Sequence, residues 1–137
     1  MNVAAVHQFP VVRDYMTLSP HTIGRTASLS TARHTMQLHH IRHLPVLEAG
    51  RIVGVLSERD LFLVETLPGV NPTEVPVEAA MVQDVFTVAP DAPIGELIED
   101  MIDRKLGSAI VCEGDRVVGV FTTIDALRAL HERLERP

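Results

Sequence analysis

Two stretches of this chain place a hydroxyl three residues ahead of a carboxylate, just after an apolar run carrying a glycine. They are GVLSERD, Gly54 to Asp60, and GVFTTID, Gly119 to Asp125. Two kinds of chemistry fit that spacing. A Ser or Thr followed three residues later by an acid, ahead of an apolar run, is a capping box, in which hydroxyl and acid satisfy early helix amides. A helix start also offers unpaired N–H groups and the positive end of the dipole, which suit phosphate. A carboxylate in the first turn can accept hydrogen bonds from a ribose diol. It has about four lone-pair sites, so capping and ribose binding are compatible. The glycines, Gly54 and Gly119, fall late in their strands, where glycine lets another backbone or a ligand come close.

The two turns belong to a longer internal repeat. Sliding the sequence until Asp60 lies on Asp125 aligns Val12/Val77 through Asp60/Asp125 without a gap, with Met16/Met81, Thr22/Thr87, Met36/Met101, Glu48/Glu113, Arg51/Arg116 and Gly54/Gly119 among the identities. In the second copy, Phe86 to Val88 reads as a short strand. A helical stripe at Ile94, Leu97, Ile98, Met101 and Ile102 follows, with Asp91 as the expected N-cap and Pro93 in the first turn. Strands at Ala109 to Cys112 and Val117 to Phe121 precede a helix from about Thr123 to Leu134. The first copy reads the same way: a strand at Thr22-Ile23, a helix from about Leu29 to His40, strands at Leu44 to Leu47 and Ile52 to Leu56, and a helix from Glu58 to about Thr66. Each half is therefore βαββα, a parallel crossover pair plus a hairpin. The expected fold class is α+β, with repeats over 11–66 and 76–134 and a linker over 67–75, where Pro68, Gly69, Asn71 and Pro72 are loop signals. Each half is about the size at which a lone core is marginal, so the repeats are expected to pack together around a shared cleft. Ile98 and Ile102 stand where the first copy has Arg33 and Gln37. The second copy's wider apolar helix face is either a local packing difference or a surface for another subunit.

Composition excludes several functions. The chain has 137 residues, 46% of them hydrophobic, enough for a core, and no apolar run long enough to span a membrane. The opening MNVAAVHQFPVV lacks a basic segment before an apolar one, so a secretory signal is not expected. The single Cys112, in the apolar SAIVCE, reads as a buried small residue. These features point to a cytoplasmic protein. A net charge of −6 and 4% aromatic residues argue against nucleic-acid binding. His39 and His43 have a metal-capable spacing only if one helix carries both, and Leu44-Pro45 ends the helix near there, so no metal is expected. No nucleophile–base pair stands out, and no catalytic activity is expected.

IRHLPVLEAGRIVGVLSERDL, repeated as LGSAIVCEGDRVVGVFTTIDAL, together with the Met16-Thr17 pair before the first strand, resembles the tandem CBS domain family. Two such motifs form a Bateman module. The resemblance runs from about Val11 to Leu134, leaving no room in this chain for an attached enzyme or transporter. It implies a regulatory module, commonly a homodimer, that binds an adenosine-containing ligand such as AMP, ADP, ATP or S-adenosylmethionine between its repeats and signals to a partner protein. No cofactor is required. Some family members bind no ligand and serve as structural dimerisation modules, which is the alternative here. Carried over to this chain, the resemblance makes Asp60 and Asp125 the ribose-holding acids, with Ser57 and Thr122 facing the ribose or its phosphate. Thr22-Ile23 and Phe86-Thr87-Val88 would line the base. Main-chain groups of His43, Leu44, Pro45 and Val46, and of Ser108, Ala109, Ile110 and Val111, would meet the adenine edge. The copies differ. The first has Arg59 and His43 to offer positive charge to phosphate. The second has Ile124 and Ser108 there, and SAIV in place of HLPV, so the first is expected to be the better nucleotide site.

Overall fold

A computed structural model of the chain describes residues 9–18 and 21–136. Residues 1–8, which carry most of the stretch weighed as a signal, lie outside the described residues. In chain order the strands are β1 (Thr17–Leu18), β2 (Ile23–Gly24), β3 (His43–Glu48), β4 (Arg51–Ser57), β5 (Thr87–Val88), β6 (Ser108–Glu113) and β7 (Arg116–Thr122). The α-helices are α1 (Leu29–His39), α2 (Glu58–Glu65), α3 (Ile94–Arg104) and α4 (Thr123–Glu135), and short 3-10 turns lie at Val12–Asp14 and Val77–Ala79. The chain is mixed α+β, with one sheet ordered β2-β3-β4 and the other β1-β7-β6-β5.

Two compact units result, and they cut across the sequence repeats: His21–Val85 forms one, and the described residues before it join those from Phe86 onward in the other. The cause is visible in the main-chain bonding. In the first of these units, Leu29 N–H donates to Val75 O at 2.9 Å, Val77 N–H to Ala27 O at 2.7 Å and Glu78 N–H to Arg25 O at 3.0 Å. The second unit repeats the pattern at aligned positions: Ile94 N–H donates to Pro10 O at 3.0 Å, Val12 N–H to Ala92 O at 2.9 Å and Arg13 N–H to Pro90 O at 2.8 Å. Each repeat's leading segment therefore completes the unit built on the other repeat. Residues 67–75, read above as connection, also satisfy helix-start donors, since Ser30 N–H reaches Pro72 O at 3.0 Å.

Helix signals explain α1 and α3. Ser28 caps α1 by accepting from Thr31 N–H, and Leu29, Ala32 and Met36 form its buried stripe. Ile94, Leu97 and Met101 are the corresponding buried residues of α3. Both helices end on a left-handed residue, His40 (φ 54°) and Lys105 (φ 56°), after which Ile41 and Leu106 donate back to Met36 O and Met101 O. Asp91 is not the N-cap of α3. Pro93 holds that position with no side-chain cap, and Pro10 O satisfies the first helix amide in its place.

The cores are separate. Ile23, Leu29, Met36, Leu44, Val46, Leu56, Leu61 and Val77 fill one, and Val12, Leu97, Met101, Ala109, Val111 and Phe121 are central to the other. Gly54 and Gly119 owe their identity to a neighbouring backbone. A Cβ on Gly54 would lie 3.0 Å from Val82 O and 2.6 Å from Met81 Sδ; one on Gly119 would lie 2.8 Å from Thr17 O. Of the two expectations for these glycines, close approach of another chain segment is the one described.

Candidate ligand-binding site

Both repeated turns start a helix directly from the end of a hairpin strand. In the His21–Val85 unit, His43 pairs with Ser57 across β3 and β4, and Glu58 N–H donates to Arg42 O at 2.8 Å. In the other unit, Ser108 pairs with Thr122, and Thr123 N–H donates to Gly107 O at 3.1 Å. The hydroxyls cap as expected: Ser57 Oγ accepts from Asp60 N–H at 3.0 Å, and Thr122 Oγ1 from Asp125 N–H at 3.4 Å.

The two carboxylates, identical in sequence position, differ in their surroundings. Asp125 is 1% exposed. Its Oδ2 accepts from Thr122 N–H at 2.9 Å and from the Thr122 hydroxyl at 3.3 Å, and its Oδ1 accepts from the Thr17 hydroxyl at 3.1 Å and from the Arg128 guanidinium. That is a complete capping box with two further donors. Asp60 is half-buried, and its carboxylate accepts no hydrogen bond from any described residue. Its backbone amide is capped while its acid is left free, so the turn retains acceptors for a ligand.

The other anticipated residues are distributed as follows. Ile23 pairs with Val46, and Thr87 and Val88 pair with Ile110 and Val111, in the parallel ladders. Thr22 and Thr87 are exposed, whereas Pro45 and Ile110 are buried. The side chains of Leu44, Val46 and Ala109 lie in the two cores, so only main-chain atoms remain there for a ligand. Arg59 is exposed on α2. Thr17, Arg128 and their contacts with Asp125 escaped the sequence reading. The signal was present, because the repeat alignment sets Val82 against Thr17 and Leu63 against Arg128.

His43 corrects one electrostatic expectation. Burial lowers its pKa from the usual 6.5; Arg42 acts in the same direction, while Asp60 and Glu58 oppose. The imidazole is therefore neutral near pH 7 and supplies no fixed positive charge, so of His43 and Arg59 only Arg59 can offer charge to phosphate. Because the folded-state pKa is lowered, the stability tied to neutral His43 is fully present above pH 6.5 and is lost as pH falls through the lowered value. Between about pH 8 and pH 5 the native chain should therefore lose stability faster than His43→Gln, by at most about 1.4 kcal/mol per pH unit. Urea midpoints across that range check this, and parallel curves for the two proteins would refute it.

His39 and His43 do not share a helix. His39 is the last residue of α1 and stacks on His21 at 3.6 Å between ring centroids, whereas His43 opens β3. Among the described residues no three His, Cys, Asp or Glu side chains are grouped to hold a metal ion, and no helix is long and apolar enough to cross a membrane.

Two βαββα halves, each closing its hairpin on a hydroxyl-capped helix that carries an acid at its third position, define a tandem α+β repeat module. The chain belongs to the CBS domain family, whose model matches residues 12–65 and 77–132. In fold it resembles a protein from Vibrio cholerae described as an acetoin utilization protein (AcuB), with TM-score 0.80 and 34% identity over 93% of this chain and 94% of that one. It also resembles the CBS domain pair of protein MJ0100 in complex with 5′-methylthioadenosine and S-adenosylmethionine, with TM-score 0.77 and 25% identity over 88% of this chain and 99% of that one. The A-adding tRNA nucleotidyltransferase of Aquifex aeolicus is 34% identical over 91% of this chain, which spans 15% of that enzyme's length.

Proposed function

We propose that this chain is a ligand-sensing regulatory module. It binds an adenosine-containing ligand, AMP, ADP, ATP or S-adenosylmethionine, at the β4–α2 turn and conveys occupancy to a partner protein. The observation that carries this reading is the half-buried Asp60 carboxylate, which stands at a capped helix start with no described donor on it. A ribose diol supplies the missing donors, the main-chain edge of β3 meets the base, and Arg59 reaches toward phosphate. The adenosine-type ligands of the MJ0100 pair support that ligand class. Signalling is linkage: the ligand shifts the module only by its preference for one arrangement over another. No catalytic step is assigned to these residues, and the protein is expected in the cytoplasm.

Thermal denaturation with AMP, ADP, ATP and S-adenosylmethionine tests the proposal. At 100 times the dissociation constant, the binding ligand adds about 2.7 kcal/mol, and Asp60→Ala should abolish that shift while leaving the unliganded melting temperature nearly unchanged. A shift retained in Asp60→Ala would overturn the assignment. A second reading, a dimerisation module without a nucleotide, is favoured by exposed apolar residues on α3 and α4: Ile102 (69%), Ile124 (67%) and Leu134 (75%). No shift with any ligand, together with a dimer by sedimentation, would establish that reading in its place.

A further inference from the structure

We infer that Thr17 and Arg128 close the second turn to ribose, so that each chain takes one adenosine-type ligand and the acid of the second turn serves as an internal tie. The inference rests on the ligand reading above and extends it to stoichiometry and to two specificity-determining residues.

A carboxylate offers about four lone-pair sites. Asp125 meets four donors: the Thr122 amide and hydroxyl on Oδ2, and the Thr17 hydroxyl and Arg128 guanidinium on Oδ1. With its acceptor sites matched and 1% of its surface exposed, it has nothing left for a diol. A ribose would have to displace a charge-assisted bond from Arg128, and such bonds are about twice as strong as neutral ones. The Thr17 hydroxyl is delivered by β1, which pairs with β7 at Thr17↔Val120.

The first turn is an internal control within the same chain. Val82 takes the place of Thr17 there, held by the reciprocal Val55–Val82 bonds at 3.0 and 2.9 Å, and has no donor to offer. Leu63 takes the place of Arg128 and is 55% exposed. The geometry of strand, turn and helix is thus repeated, whereas the two side chains that saturate the acid occur on one copy alone. Exchanging them for their counterparts, Thr17→Val with Arg128→Leu, should free Oδ1 of Asp125 for a diol while Oδ2 keeps its Thr122 donors.

Calorimetric titration with AMP, ATP and S-adenosylmethionine in turn tests this. The native chain should bind one equivalent of whichever ligand it accepts, Asp60→Ala none, and Thr17→Val/Arg128→Leu two. Adding Asp60→Ala to that double variant should leave one. Two equivalents on the native chain would overturn the inference while sparing the ligand reading. So would a single equivalent on a double variant whose circular dichroism is native. One equivalent retained by Asp60→Ala alone would overturn the inference together with the assignment of the ligand to the β4–α2 turn. Absence of binding by every protein would overturn both. The Asp60→Ala arm leaves the second turn intact, so it decides the matter even if the double variant does not fold.

Discussion

Asp125→Ala is expected to destabilise the chain by about 3 kcal/mol, whereas Asp60→Ala, its counterpart in the repeat, should cost under about 1 kcal/mol. The Asp125 carboxylate completes a capping box, worth about 1 kcal/mol in itself. It also holds the Thr17 hydroxyl and the Arg128 guanidinium, and hydrogen bonds to a charged group contribute about 1.5–3 kcal/mol each before compensation. Arg128 is half exposed and can turn to water once its partner is gone, which keeps the total below the sum. Asp60 has no described donor to lose, and its amide cap comes from Ser57, which stays. In thermal melts the gap between the two variants should be on the order of 10 °C for a chain of this size. Equal melting temperatures for the two would show that the contacts of Asp125 contribute little.

Gly119→Ala should cost about 2–3 kcal/mol, within the range for forcing a methyl into filled space. The added Cβ would sit 2.8 Å from Thr17 O and 2.9 Å from Met16 Sδ. The sulfur can swing away, but the carbonyl belongs to β1 and cannot move without opening the β1–β7 pairing. Gly54→Ala should be milder, about 1 kcal/mol, because its nearest obstacle is the flexible end of Met81 and the Val82 carbonyl lies farther off at 3.0 Å. Hydrogen exchange gives a second readout: amides of the β1–β7 ladder should lose protection in Gly119→Ala ahead of those in β6. Unchanged protection at β1 with a melting temperature within a degree of the native value would refute the account.

Much of this was legible from residue order. The repeat located both hairpins to within a residue, because apolar strands flanking EAGR and EGDR leave little freedom of register, and the hydroxyl-plus-acid spacing correctly announced two capped helices. Tertiary partners were not legible. Met16 and Met81 align, yet alignment cannot say which core each packs against, and each packs against the core built on the other repeat. Asp91 looked like an N-cap because its side chain suits the role; the first amide of α3 instead finds Pro10 O, a partner far away in sequence. His43 looked like a charge donor because the sequence shows a base and hides its burial. The difference between Asp60 and Asp125 could have been read from Thr17/Val82 and Arg128/Leu63, but only by knowing that those positions face the acids.

The exchange of leading segments also sets an order of assembly during synthesis. The His21–Val85 unit is one continuous stretch, so every strand and helix it needs has been made once residue 85 is in place. The other unit has no such freedom: Thr17 must wait for Asp125, 108 positions later, before its hydroxyl finds its acceptor. Non-local contacts of that span are slow to form. The early edge strand Thr17–Leu18 therefore remains without its partner until β7 has been made, after every element of the His21–Val85 unit.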